Sequence, residues 1–336
     1  AQNERGGVLG QPVRVVLEDS ACDYQTARAA AQSVIDEDGV FFIIGAVCAD
    51  ASEGVAQIAS EAGVLQISPA SVDADLTEDA AGTLRSLVFR IPVTDPDQGV
   101  IAAKFALDTL GAETVGILYA EQGDYGSVLV NAFTGAFEAE GGEVIARETY
   151  DQNAAQFYEV LEPIREADPD VLYLPGYFSV INRLIPQART FGMFQPIVGS
   201  DGWESPALDV NAADDSYFPV HYFASEPRSV VATWSSLYET RYLVPPDALA
   251  TLAYDTANVL FAAVEAAGYP DPYGVSQILE TSSFDTVSGW LTFDDMHNPI
   301  KSMAIIHVDN GTISFEERRF TKPPEEETLQ SAETEE

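Results

Sequence analysis

Short, almost continuously apolar strands alternate with helical segments in this chain, and the alternation occurs twice. Residues 13–17 (VRVVL) read as a strand. A helix follows, capped by Asp23, with Ala27, Ala30, Ala31 and Val34 on one face. Residues 40–44 read as a strand, 51–61 as a helix and 64–67 as the next strand. Strands that are apolar on both faces need cover on both faces, which argues for a parallel sheet between helical layers. The pattern restarts at 114–119 (strand) and continues with 125–140 (helix), 142–149 (strand), 154–167 (helix), 170–174 (strand), 179–191 (helix) and 196–198 (strand). Residues 89–97 (FRIPVTDPD), with two prolines, read as a crossover between the two units. Further on, 217–223 reads as a strand, 230–242 and 248–267 as helices, and 290–293, 302–308 and 312–318 as strands.

A chain of 336 residues has room for two such units, and 46% hydrophobic content supplies their cores. Charge narrows the partners. Sixteen basic against 54 acidic residues leave a net charge of −38, which disfavours nucleic acid and anionic membrane surfaces. Only three of the basic residues are lysines: Lys104, Lys301 and Lys322. Such a surface suits high salt, where repulsion is screened, or an ordinary acidic extracytoplasmic protein. No stretch approaches the roughly 20 apolar residues of a membrane span. The first residues, AQNERGGVLG, contain no signal-peptide core and read as the end of a helix, as though a strand and a helix preceded them. The segment 323–336, with six Glu and two Pro, is expected to be disordered.

Cys22 and Cys48 are the only cysteines, and each follows a predicted strand. If those strands are neighbours in a parallel sheet, a disulfide is geometrically open to them and implies an oxidising compartment. The alternative is a pair of separate buried thiols.

Several segments together resemble the type I periplasmic binding proteins that serve branched-chain amino-acid ABC importers: GGVLGQPVRVVLEDSACD, FFIIGAVCADAS, VLQISPAS, QGDYGSVL, VLYLPGYFSVINRLIPQAR, PIVGSDGWESP and LAYDTANVLFAAVEAAG. The likeness runs from about residue 6 to 320. It implies two α/β lobes joined by three hinge crossovers, here apparently lacking the first strand and helix. Lobe 1 is expected at 1–91 plus 225–288, and lobe 2 at 92–224 plus 289–320. It further implies a ligand held between the lobes and hinge closure upon it, in a secreted or lipid-anchored protein whose partner is an ABC permease.

A zwitterionic ligand needs acceptors at its ammonium and donors at its carboxylate. By resemblance, Asp201 faces the ammonium, Tyr125 and Tyr177 are aromatic ligand contacts, and Trp203 walls the pocket or covers the hinge. Tyr150 and Phe178 are left as core. Ala49 and Ala70 fall at ligand positions of the other lobe. The family commonly has a hydroxyl residue at Ala49 and again at Val72. Those two donors are absent here, and Ser71 or Ser52 is expected to compensate. The departure opens an alternative to an amino acid: an amide, a keto acid or an aromatic acid. A second alternative is a sensing receptor module of the same fold.

An enzyme is not expected. His221, His297 and His307 lack metal-ligand spacing, and no nucleophile elbow, phosphate loop or dinucleotide fingerprint occurs. No cofactor or metal is called for.

Overall fold

The computed structural model describes residues 2–322, so the acidic segment 323–336 lies outside the described residues. The chain divides into two compact units. One holds residues up to Thr94 together with Thr233–Lys301; the other holds Asp95–Ala232 and Ser302–Thr321. The chain therefore passes between units after Thr94, Ala232 and Lys301. The sequence reading placed these passages at 91/92, 224/225 and 288/289. The last differs most because Gly289–Phe293 pairs with Phe284–Thr286 and stays with the first unit.

In chain order the elements of the first unit are α1 (Tyr24–Asp36), β1 (Phe42–Ile44), α2 (Ala49–Ala62), β2 (Leu65–Ser68) and β3 (Val88–Arg90). The second unit carries α3 (Asp95–Asp108), β4 (Thr114–Ala120), α4 (Tyr125–Ala139), β5 (Glu143–Tyr150), α5 (Tyr158–Ala167), β6 (Val171–Tyr173), α6 (Phe178–Thr190), β7 (Ile197–Val198) and β8 (Ser216–Val220). α7 (Ser229–Tyr242) leads back to the first unit, which continues with α8 (Ala248–Ala267), α9 (Pro272–Thr281), β9 (Phe284–Thr286) and β10 (Gly289–Phe293). β11 (Pro299–Asp309) runs on into the second unit, and β12 (Thr312–Phe320) follows.

In the first unit β1, β2 and β3 form a parallel sheet in that order, with Phe42 opposite Leu65 and Gln66 opposite Val88. Leu65, Ile67 and Phe89 pack on Leu252, Val259 and Leu260 of α8 and on Val275 and Leu279 of α9. Burying each such side chain contributes roughly 1.5–3 kcal/mol. On another part of the unit α1 and α2 meet through small residues, Ala27 and Ala31 against Ala51 and Val55. The Asp23 carboxylate caps α1 as expected, accepting the Thr26 amide at 2.8 Å. Cys22 and Cys48 are joined in a disulfide, so the thiol alternative falls.

The expected strand at 13–17 does not form. Val15 is 71% exposed and Leu17 86% exposed. The segment is tied by Asn3, which bonds both backbone groups of Val13, and by the Arg14–Asp38 ion pair. Apolar sequence favours a strand only where a neighbour offers a hydrogen-bonding edge. Among the described residues no strand pairs with this segment.

The second unit is built on parallel strands in the order β5-β4-β6-β7-β8, extended by antiparallel β11 and β12. Its core joins Leu118, Leu172, Ile197 and Phe218 of the strands to Ile164 of α5 and Ile181 and Leu184 of α6. The order reverses direction at β4: the chain goes outward to β5, then returns to the other side as β6. Open α/β sheets bind ligands at the carboxyl ends of the strands beside such a switch point.

Candidate functional site

Four consecutive strands of the second sheet end at the same edge, and each delivers one side chain there. β4 leads to Tyr125, β6 to Tyr177, β7 to Asp201 and β8 to His221. Tyr125 and Tyr177 thus straddle the switch point between β4 and β6. Asp201 opens a single 3-10 turn, Asp201–Trp203.

The Tyr125 hydroxyl donates to Oδ1 of Asp201 at 2.5 Å, and its oxygen accepts the Gly202 amide at 3.0 Å. The Asp201 amide donates to Oε1 of Gln98 at 2.8 Å, so the turn is gripped from two sides. Ser200, fully buried, sits 3.0 Å from the Tyr125 oxygen and accepts the Gly176 amide at 3.0 Å. This locks the loop that carries Tyr177 to the loop that carries Asp201. Gly202 is required for the approach: a Cβ there would stand 2.5 Å from the Gly176 carbonyl oxygen. Tyr177 stacks on Tyr125 with ring centroids 5.1 Å apart and is half exposed. Burial, and then the Asp201 charge, push the Tyr125 hydroxyl far above its usual range, and the same two causes raise Tyr177. Both phenols therefore stay protonated and serve as donors and as π-faces.

Asp201 remains a partly exposed carboxylate. One oxygen is held by Tyr125, and the other lies 3.8 Å from Nε2 of His221. Among the described residues no arginine or lysine is paired with it. A carboxylate so placed, beside an aromatic face, is suited to a cationic group.

Trp203 does not wall a pocket. It is fully buried, packs on Phe218 in the core of the unit, and donates its indole N–H to the Leu174 carbonyl. The indole supports the Asp201 turn from beneath. Its large apolar surface wins that place over an edge position. Tyr150 lies in the same core, as expected, and Phe178 is packed against it.

The first unit repeats the logic at the carboxyl ends of β1 and β2. Ser52 and Ser68 both donate to the Ala46 carbonyl at 3.0 Å, and Gln66 donates to Gly45 O at 2.8 Å and to Ser52 O at 3.1 Å. Ser68 also accepts the Ser71 amide at 3.1 Å. These buried groups shape the loops bearing Ala49, Ala70 and Ser71. In this structure the Ser52 hydroxyl donates to the Ala46 carbonyl. The Ser71 hydroxyl has no hydrogen-bond partner and is almost buried. Ala49 is exposed at the start of α2, whose N-cap Cys48 supplies no side-chain cap.

Two surface hollows lie away from the Asp201 cluster. One of about 490 Å³ in the first unit is lined by Ala49, Glu53, Asp73, Asp79 and Arg85 among others, and one of about 440 Å³ in the second by Tyr150, Phe157 and Tyr158 among others. Neither includes Asp201; hydrogen bonding and charge, rather than concavity, single out its cluster. Ser200 and His221 were within reach of the sequence, being at strand ends. Gln98 was not, since nothing in sequence ties it to a residue 103 positions away.

A periplasmic binding protein family matches residues 1–312. A Pseudomonas aeruginosa leucine-, isoleucine-, valine-, threonine- and alanine-binding protein is 27% identical over 297 residues, covering 87% of this chain and 78% of its own. Among solved structures, a leucine-binding protein of Thermotoga maritima is 31% identical with a TM-score of 0.73, covering 95% of this chain and 91% of that one. A branched-chain amino-acid transporter substrate-binding protein of Streptococcus pneumoniae, solved with isoleucine, is 25% identical with a TM-score of 0.73, covering 96% and 90%. The chain belongs to the periplasmic binding protein family, with the type I fold. It is a solute-binding protein and not an enzyme. Among the described residues no helix is long and apolar enough to cross a membrane.

Proposed function

We propose that this protein captures a small amino-acid-like solute outside the cytoplasm and delivers it to the permease of an ABC importer. In this reading Asp201 takes the ammonium, with the Tyr125 hydroxyl orienting the carboxylate and the Tyr177 face beside it. Ala49, Ala70 and Ser71 are the positions that meet the acid end, with Ser71 the one side-chain hydroxyl available. Hinge closure on the solute completes the cycle. The observation that carries the reading is the Asp201 carboxylate, fixed through one oxygen by Tyr125 and, among the described residues, paired with no arginine or lysine. The names of the relatives, which bind branched-chain and other small amino acids, support the solute class.

A second reading follows from Ala49 and Val72 combined with the donation of the Ser52 hydroxyl to Ala46. With fewer donors for a carboxylate, an amide of an amino acid competes with the acid itself. Calorimetry with leucine and leucinamide on the wild type and on Asp201→Ala tests both. Asp201→Ala should weaken either ligand at least about tenfold, the loss of one charge-assisted hydrogen bond. Equal affinities in wild type and variant would remove Asp201 from the site. A wild-type preference for leucinamide would favour the second reading.

A further inference from the structure

Asp201 has a neighbour that the ammonium reading leaves unused. His221 follows β8 directly, so the pairing of β8 with β7 brings it to the edge where Asp201 follows β7. Its Nε2 lies 3.8 Å from Oδ2 of Asp201, and both side chains are mostly withdrawn from solvent. Tyr125 already occupies Oδ1. Oδ2 is thus the oxygen that a bound cation and a protonated imidazole would both seek. Two cations on one half-desolvated carboxylate repel each other more strongly than in water.

We propose that His221 is a proton-operated competitor for this cation site: protonated, it pairs with Asp201, and a cationic solute binds as that proton leaves. The inference rests on the reading of Asp201 as the seat of a cationic head group. The other histidine of this unit, His307 on β11, stacks on Tyr217 and lies 3.9 Å from Glu316, not against Asp201. Tyr125, Tyr173 and Tyr177 keep their protons. Asp95, at the start of α3, adds a negative field that reaches Tyr173 and Tyr177. Glu226, further along the chain from His221, is paired with Arg228 and Arg318. Histidine is the side chain whose ordinary titration falls between about pH 5 and 8. Capture of a cationic head is therefore coupled to release of one proton, and acid loosens the grip.

Two measurements test this. In the ligand-free protein, the NMR titration of His221 should sit higher in the wild type than in Asp201→Asn, because the carboxylate favours the imidazolium. In calorimetry, leucine should bind the wild type several-fold more weakly at about pH 5.5 than at about pH 7.5, because a protonated imidazole then competes for Oδ2 of Asp201. His221→Asn, or His221→Gln should the first variant not fold, should show a flat profile. A His221 titration unmoved by Asp201→Asn, or the same pH profile in wild type and His221 variant, overturns the proposal. A clear shift with Asp201→Asn but no leucine binding at any pH supports the coupling and overturns the amino-acid reading instead.

Discussion

His297 is a titratable side chain whose place in the fold makes it part of the core. It is buried in the first unit, stacked flat on Phe89 with centroids 3.8 Å apart. Nδ1 donates to the Val88 carbonyl at 3.1 Å, and Nε2 lies 3.2 Å from Glu280. Burial pushes its proton affinity below the ordinary histidine value; the Val88 carbonyl and Glu280 pull the other way and lose. The folded state therefore resists protonation that the unfolded chain accepts. Stability from this group is complete above about pH 6.5 and declines as pH falls from there toward the lowered native value. Urea denaturation at about pH 7.5 and 5.5 should show the wild type losing more stability on acidification than His297→Gln. Equal losses would mean that His297 titrates alike in both states. Asp201 is the contrasting case: a charged group kept partly exposed, held by a neutral phenol and a neutral amide.

At the scale of elements, α1 and α2 depend on a staple. Their contact is rich in alanine, with Val55 and Ile58 of α2 and Ile35 of α1 beside it, and Gly54 lets α2 approach so closely that a Cβ there would meet the Tyr24 carbonyl oxygen at 2.5 Å. The Cys22–Cys48 bond joins the entries of the two helices across a sequence separation of 26. Closing a loop of that size stabilises by roughly 3–4 kcal/mol, mainly by restricting the unfolded chain. Replacing both cysteines with serine should lower the urea midpoint accordingly, and an unchanged midpoint would show that the helix contact suffices alone. Most helices and strands were legible in sequence, because their apolar spacing and caps such as Asp23 are local. The segment 13–17 was not: its apolar pattern is as strong as that of β1, yet Val15 and Leu17 lie in solvent. A strand is a relation between two segments, and periodicity reports only one of them.

For the molecule as a whole, a net charge of −38 sets a repulsive background against which every contact works. Repulsion among exposed carboxylates is long-ranged in dilute buffer and confined within a few Å at molar salt. The melting temperature should therefore rise between about 0.1 M and about 2 M potassium chloride. A melting temperature that stays level or falls would mean that local ion pairs such as Glu53–Arg85 already offset the excess charge.

The candidate site divides along the same line. Asp201, Tyr125 and Tyr177 were named from sequence by resemblance to the family's motifs, and the structure places each just after a strand of the second sheet. The sequence alone also determined the α/β class and the two-unit organisation, since alternation of apolar strands with amphipathic helices is written locally. Only the tertiary structure decided that Trp203 is core, that Ser52 donates to Ala46, and that Gln98 and His221 join Asp201. Those are statements about which distant groups share a hydrogen bond or a few ångströms, and such neighbours are set by sheet order and packing rather than by residue type.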